Sequence, residues 1–550
     1  LHQKKVLAKF NEVISELNKR KFKLPKDGLK GFKKHFKSDF IAGFVVFLLA
    51  LPLSIGIAKA SDFPPSMGIL SAVVGGLLVS FFSGSKLSIK GPAAGLIAIC
   101  ISAVSDLGNG DQVLGWKLLS GVLFISGILQ IAFGYFKLGK FVSFFPAATV
   151  KGMMTAIGIV ILLKQLPVLL NVPPDLYKGL SVFETLVNLK LLLTALDPLM
   201  TSIGIGLLIL LLVWPYLKNK LVKAIPSAFV VVLISIGISL IFNLETLKPN
   251  YSFLEIGDFV SSINFQLTFE GFNTPYFFIK YVIIFSLVGS IESLLTIKAT
   301  DDLDPYKRLS DTNKDLTAVG FGNAVVAIFG GLPMIAEVAR TTANINAGAK
   351  TRWANFHHGL FLVVFMLIAI PILERIPNTA FAALLIAVGL KLAAPKEFIR
   401  MYKIGKEQLV VFCTTIVFAV FTDLLTGILM GVIVNIIYEV YYGCNPLKMF
   451  SKNFTAKQEA DKYLITFFDS AVFSNYRHLS SEIKKLPKKS IIEINFAAAK
   501  VVDFSTLSSL KLLSHDVKLN GGELDITGLG KHIPKSSHPE AIRIKEDKLS

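Results

Sequence analysis

Apolar residues arrive in this chain in long runs with few or no charges, not as the one-sided stripes of a soluble fold. That pattern leaves little choice, because in lipid every backbone polar group must be satisfied within the segment or in a closed barrel. Runs such as Phe40–Ala58, Ile69–Phe82, Leu118–Phe136, Ile203–Tyr216, Ile225–Phe242, Phe277–Ile297, Leu360–Leu373 and Leu409–Val420 read as membrane helices. With the shorter and Gly-rich segments the expected number is about fourteen. Of 550 residues, 53% are hydrophobic and only 17% charged, and the mean hydropathy of +0.62 agrees with a polytopic membrane protein.

Two segments depart from this pattern at matching places in the two halves. One runs from Gly91, Pro92 and Ala93 to Leu107, and the other from Ile335 to Ala349, carrying Glu337 and Arg340. Ala93–Leu107 would be roughly 22 Å long as a helix, short of a hydrocarbon core of about 30 Å. Neither spans alone. Such broken helices are the sequence mark of a secondary transporter built from inverted repeats, where their N-termini meet a substrate near the midplane. Free N–H groups and a positive dipole end suit an anion.

Charge predicts topology. Residues 1–38 hold twelve Lys/Arg against three acids, net +9, and residues 453–550 hold fifteen against twelve, net +3, leaving +7 of the overall +19 for the membrane part. The basic arm predicts a cytoplasmic N-terminus, contact with anionic lipid and an uncleaved first helix; an even number of spans returns the C-terminus to the same side. A nucleic-acid binder would carry this charge on a soluble fold with aromatic platforms. Cys100, Cys413 and Cys444 have no metal or disulfide spacing, and the first two are expected as packed thiols.

The chain divides into a basic arm (1–38), a first membrane repeat (39–243), a polar connection (244–274), a second repeat (275–442), a linker (443–452) and a soluble C-terminal α/β domain (453–550). In the last, 463–468, 490–496 and 523–527 read as strands, and 475–486 and 505–517 as helices. About a hundred residues suffice for one small core.

Five motifs, in order, resemble the SulP family of anion transporters with a C-terminal STAS domain: Asp39–Gly43 with Pro52, Gly91–Gly95, Phe285–Thr296, Gly331–Thr351, and Val501–Thr506 followed by Asn520–Gly522. The resemblance covers nearly all of the chain from Asp39 onward. It implies an α-helical polytopic membrane protein with fourteen segments as two inverted repeats of seven, core and gate domains moving like an elevator, a homodimer, and the plasma membrane as location. It also implies that no cofactor is needed beyond a coupling ion.

Pocket lining is expected from Ser54, Ala93, Ala94, Gly95, Ala336, Glu337, Val338 and Arg340, where small side chains let backbone N–H groups approach an anion. Arg340 costs on the order of 3 kcal/mol at mid-membrane and needs an acidic partner or a charged ligand. Glu337 lies one turn earlier, so an internal pair that neutralises itself is one reading and an anion site backed by Arg340 the other. Glu292 and Thr296 share a helix face, presenting a carboxylate and a hydroxyl to a hard cation. In sodium-coupled bicarbonate transporters of the family, matching positions look like the sodium site. This chain departs by carrying Ala336, Glu337 and Val338 where those relatives have small and hydroxyl residues, so Glu337 could strengthen a sodium site, carry a proton or pair with Arg340. Leu53, where many sulfate-transporting members have Gln, suits a smaller singly charged anion or is packing variation.

His357 and His358 read as interfacial anchors beside Trp353, and the acids and bases of 301–308 as a solvated loop. Asp503 and Ser505 match a STAS loop phosphorylated in distant relatives; helix capping is the alternative. The function expected is secondary transport of bicarbonate or sulfate with Na+ or H+ by alternating access. An uncoupled channel or exchanger, or a voltage-responsive protein with little flux, are the alternatives. No nucleophile–base pair, nucleotide loop or metal cluster points to an enzyme.

Overall fold

The computed structural model describes residues 2–545 apart from 20–23, 62, 178–179, 218–226, 248–250, 252, 254–258, 260–262, 369 and 460–461. Eight of its helices are long and apolar enough to cross a membrane, and three shorter apolar helices, Ile99–Gly108, Ser227–Ile241 and Trp353–Ile368, lie among them. Among the described residues each of the eight runs named from the sequence falls on helix; residues 225, 226 and 369, which belong to two of those runs, lie outside the described residues. Ala147–Leu169, Asn378–Leu392 and Leu424–Tyr441 were not among those runs; lysines, small residues and buried Asn435 and Glu439 break up their apolar character.

The first span is a single helix, Gly28–Ala60, which begins before Asp39 because Asp27 caps it, accepting from Gly28 N at 2.9 Å. Inside it Pro52 offers no N–H to the preceding turn, and the Ser54 hydroxyl bonds the Ala50 carbonyl at 2.6 Å. Asp39 is fully buried and ties this helix to the second half of the chain, accepting from the backbone N–H of Lys350 (2.7 Å) and Thr351 (3.2 Å). Two of the five motifs therefore meet in space.

Two short strands interrupt the helices: β1 (Lys90–Pro92) and β2 (Met334–Ala336), paired antiparallel. β1 leads through a 3-10 turn at Ala94–Leu96 into the helix Ile97–Gly108, and β2 leads into Val338–Asn346.

The C-terminal domain holds two four-stranded sheets. One has the order β3 (Phe454–Glu459), β4 (Lys462–Phe467), β6 (Ile491–Asn495), β8 (Glu523–Thr527); β3 is antiparallel to β4, and the others run parallel. The second joins β5 (Ser470–Ala471), β7 (Val501–Val502), β10 (Arg543–Lys545) and β9 (His532–Pro534). Helices Tyr476–Ile483 and Phe504–Leu519 cover a core of Ile465, Phe467, Ile494, Leu507 and Leu510. β3 escaped the sequence reading because it is an edge strand, exposed on both faces after Phe454, and so shows no apolar alternation.

Three expectations need correction. The basic arm does more than face lipid: His2–Lys19 is a helix whose Phe10 is fully buried in the core of the C-terminal domain. His357 and His358 are not exposed anchors. Both are buried, with the His357 ring among Phe32, Phe36, Phe40 and Phe356, because the Trp353–Ile368 helix packs against the first span. The 301–308 stretch is not a solvated loop either. Asp301 and Asp304 are buried, Ser310 donates to Asp301 through Oγ (2.5 Å) and N (3.0 Å), and Arg308 Nε lies 2.7 Å from Asp304. Arg308 matches the charge of Asp304 and Ser310 hydrogen-bonds Asp301, which lets both pack where the run of charges suggested water.

Candidate functional site: the crossing of the two broken helices

The site is built on the β1–β2 ladder, with Lys90 opposite Ala336, Gly91 opposite Ile335 and Pro92 opposite Met334. Flanking backbone bonds extend it: Ala93 N to Pro333 O at 3.0 Å and Glu337 N to Ile89 O at 2.9 Å. Because the strands are antiparallel, their helices leave from opposite ends, and three residue pairs set those ends about 7 Å apart at 3.3 Å per residue. The gap between the two helix ends is where a small oxyanion would meet helix N-terminal N–H groups.

Three ionisable side chains reach this gap. Arg340, 1% exposed, donates from Nη2 to Ser54 Oγ at 3.1 Å. Its Nη1 lies over Gly91, where a β-carbon would stand 2.2 Å away. Arg340 Nε is 3.7 Å from Glu337 Oε2, too far for a hydrogen bond. Nε, Nη1 and that carboxylate oxygen therefore have no hydrogen-bond partner. Glu292, 3% exposed, also leaves Oε2 without one, and its carboxylate rests against Gly95, where a β-carbon would be 2.1 Å from Oε1. Buried polar atoms left open in this way cost free energy unless something else satisfies them.

Of the expected lining residues, Ser54 and Glu337 meet Arg340, and Gly95 meets Glu292. Ala93, Ala336 and Val338 are buried, whereas Ala94 and Gly95 are exposed, so the gap is open on that side. Thr296 is buried one turn after Glu292, and its carbonyl accepts from Thr300 Oγ1 at 2.7 Å. Three connectors were missed: Ser293 Oγ accepts from Ala336 N (3.2 Å), Thr341 Oγ1 from Ile89 N (3.0 Å), and Asn344 Nδ2 donates to Leu87 O (2.7 Å). Their sequence signal is slight: Ser293 and Thr341 each adjoin a predicted ligand, and Asn344 stands four residues after Arg340.

Asp503 and Ser505 lie elsewhere, where the C-terminal domain docks on the membrane part. Asp503 caps Phe504–Leu519, accepting from Thr506 N at 2.7 Å and from Phe473 N at 3.0 Å. Ser505 is buried, and its Oγ accepts from Ala147 N, at the start of a membrane span, at 2.8 Å. Modification of Ser505 would require undocking first. Burial raises the Asp503 carboxyl above its usual range, only partly offset by its hydrogen bonds to Thr506. Across the interface it lies beside the carboxyl of Glu439 of the last span, to which Asn435 Nδ2 donates (2.8 Å). An acid with a raised folded pKa binds its proton more tightly when folded, so its stabilisation is full below the unfolded value of about 3.9 and is lost as pH rises through the folded one. Asp503→Asn is expected to flatten that pH dependence, checked by melting the solubilised protein between about pH 4 and pH 7.

The model of the sulfate permease family matches residues 36–415, the region that holds both broken helices. This chain belongs to that family. It is 27% identical to the Bacillus subtilis (strain 168) protein named "Putative sulfate transporter YvdB" over 91% of this chain and 93% of that one. To the bicarbonate transporter BicA of Picosynechococcus sp. (strain ATCC 27264 / PCC 7002 / PR-6) it is 26% identical over 72% of this chain and 69% of that one. The transmembrane domain of a cyanobacterial BicA superposes with a TM-score of 0.55 at 23% identity, covering 72% of this chain and 98% of that domain. The SLC26A9 structure superposes with 0.57 at 15% identity, covering 90% and 85%. At these identities the two structures speak for the fold: a polytopic, largely helical membrane protein of the SLC26 and BicA type. Membership makes this sulfate permease family protein a transmembrane anion transporter rather than an enzyme.

Proposed function

We propose that this protein moves a small inorganic anion of the bicarbonate or sulfate class across the plasma membrane by alternating access, coupled to Na+ or H+. The anion would sit between the helix ends that follow β1 and β2. The observation that carries this is Arg340, fully buried with two guanidinium nitrogens that make no hydrogen bond at the mouth of the gap. Glu337 forms an ion pair with it at 3.7 Å without hydrogen-bonding it, so the guanidinium keeps donors to offer an anion. The relatives named for sulfate and for bicarbonate have similar identity to this chain, so the proposal covers both anions.

In this reading Glu292 and Thr296, with Glu337, take the cation. One guanidinium and two carboxylates leave the empty gap negative if all are ionised, and a cation taken up with the anion offsets the cost of carrying charge through lipid. The rest of the proposal follows the family: two inverted repeats of seven spans at 39–243 and 275–442, a core moving against a gate, a homodimer, and both termini in the cytoplasm.

The test is uptake of labelled bicarbonate and sulfate into proteoliposomes, with and without an inward Na+ gradient and at two external pH values. Glu292→Gln is expected to remove at least tenfold of the cation-driven uptake. Undiminished, still cation-dependent uptake by that variant would sink the coupling role.

A further inference from the structure

The β1–β2 ladder is too short to set its own register. It has three residue pairs, Pro92 has no N–H to donate, and the consequence of an error is large. A slip by one residue would turn Gly91 away from Arg340 and swing Lys90 to the face of the gap.

Besides the bonds made by Ser293, Thr341 and Asn344, two side-chain anchors oppose such a slip, and both come from one helix, Thr312–Ile328. On β1, Lys90 is completely buried on the face opposite Gly91, and its Nζ lies 2.8 Å from Asp315 Oδ1 and 2.9 Å from Ser83 Oγ, with Ser88 Oγ also accepting. The same Asp315 oxygen accepts from Ser83 Oγ (2.6 Å) and from the N–H groups of Gly84 (3.1 Å) and Ser85 (3.2 Å), in the turn that leads into the strand. On β2, Asn323 clamps Met334 from both sides: Met334 N donates to Oδ1 at 2.6 Å, and Nδ2 donates to Met334 O at 3.1 Å. Nδ2 also reaches Gln130 Oε1 at 2.7 Å, which ties the clamp to the Gln112–Tyr135 span.

We propose that Lys90, Asp315 and Asn323 are positioning residues for anion binding, holding the two strands in register from one rigid helix so that Gly91 and Arg340 stay face to face. Asp315 and Asn323 stand eight residues apart, about 12 Å along a helix. That separation is a fixed ruler between the two strands. The inference rests on the reading of the crossing as the anion site. None of the three touches the anion; they act through the strand backbones. An ion pair serves this purpose although it adds little net stability, since a buried pair can be exchanged for apolar residues near neutrally while its directional hold is lost.

The experiment is saturation uptake in proteoliposomes of the full chain, giving KM and maximal rate for labelled bicarbonate and sulfate and the half-saturating cation concentration, with melting of the same preparations. Lys90→Met/Asp315→Leu is expected to raise the anion KM at least tenfold in protein that still folds but melts lower, because Ser83, Gly84 and Ser85 lose their acceptor, and Lys90→Arg to stay near the parent value. Asn323→Ser, which changes no charge, is expected to act in the same direction and carries the test if the double variant does not reach the membrane. A folded variant of either kind with an unchanged KM overturns the positioning role. Arg340→Gln run alongside separates the two levels: if it too leaves KM unchanged, the anion site itself is misplaced, and if it alone acts, only the positioning claim fails.

Discussion

Arg340→Gln is expected to cut anion transport by more than a hundredfold, through the affinity for the anion rather than through expression. The wild-type guanidinium is held by Ser54 and leaves two nitrogens for a ligand. Removing it leaves Glu292 and Glu337 as the charges at the gap, and at an effective dielectric of 20 a pair of unit charges about 4 Å apart contributes about 4 kcal/mol. A hundredfold loss needs only about 2.8 kcal/mol, so even a partly screened guanidinium suffices. The measurement is saturation uptake, with fluorescence-detected size exclusion as the control on folding. Arg340→Gln/Glu337→Gln decides the competing idea. If the two residues merely neutralise each other, the double variant recovers transport; if Arg340 serves the anion, it stays impaired.

The second large effect is expected from the smallest substitutions, Gly91→Ala and Gly95→Ala. The added methyl would stand 2.2 Å from Arg340 Nη1 in the first and 2.1 Å from Glu292 Oε1 in the second. In each case the obstructed atom is the end of a flexible side chain, so the backbone can remain and the charged group must move. Folding should survive while function does not. Gly91→Ala is expected to raise the anion KM at least tenfold with cation dependence retained, and Gly95→Ala to weaken cation dependence by a similar factor. Titrating anion and cation separately for each variant checks this; equal losses on both axes would mean that the two groups serve one inseparable site.

Much of the crossing was legible because lipid makes its exceptions conspicuous. A Gly-Pro step and a Glu–Arg pair inside apolar segments are costly there, so Gly91, Pro92, Glu337 and Arg340 stood out without any partner in view. Lys90, Asp315 and Asn323 did not, although each is also polar and buried. Lys90 precedes the broken segment and resembles a loop lysine, while Asp315 and Asn323 are spaced so that nothing in their own helix pairs them. His357 and Asp301 misled for the opposite reason: position near a span edge suggested water, and packing by the first span and by Ser310 removed it.

Hydrophobic run length and the backbone's need for hydrogen bonds determined, from the sequence alone, that this chain is a bundle of membrane helices with two breaks, and alternation of apolar residues pointed to the C-terminal α/β domain. These are local quantities, summed over a few turns. Which charge meets which was decided only in three dimensions. Gly91 and Arg340, Gly95 and Glu292, and Lys90 and Asp315 are each separated by roughly two hundred residues or more. No periodicity spans such a distance, and their juxtaposition follows from how whole helices pack around a three-residue ladder.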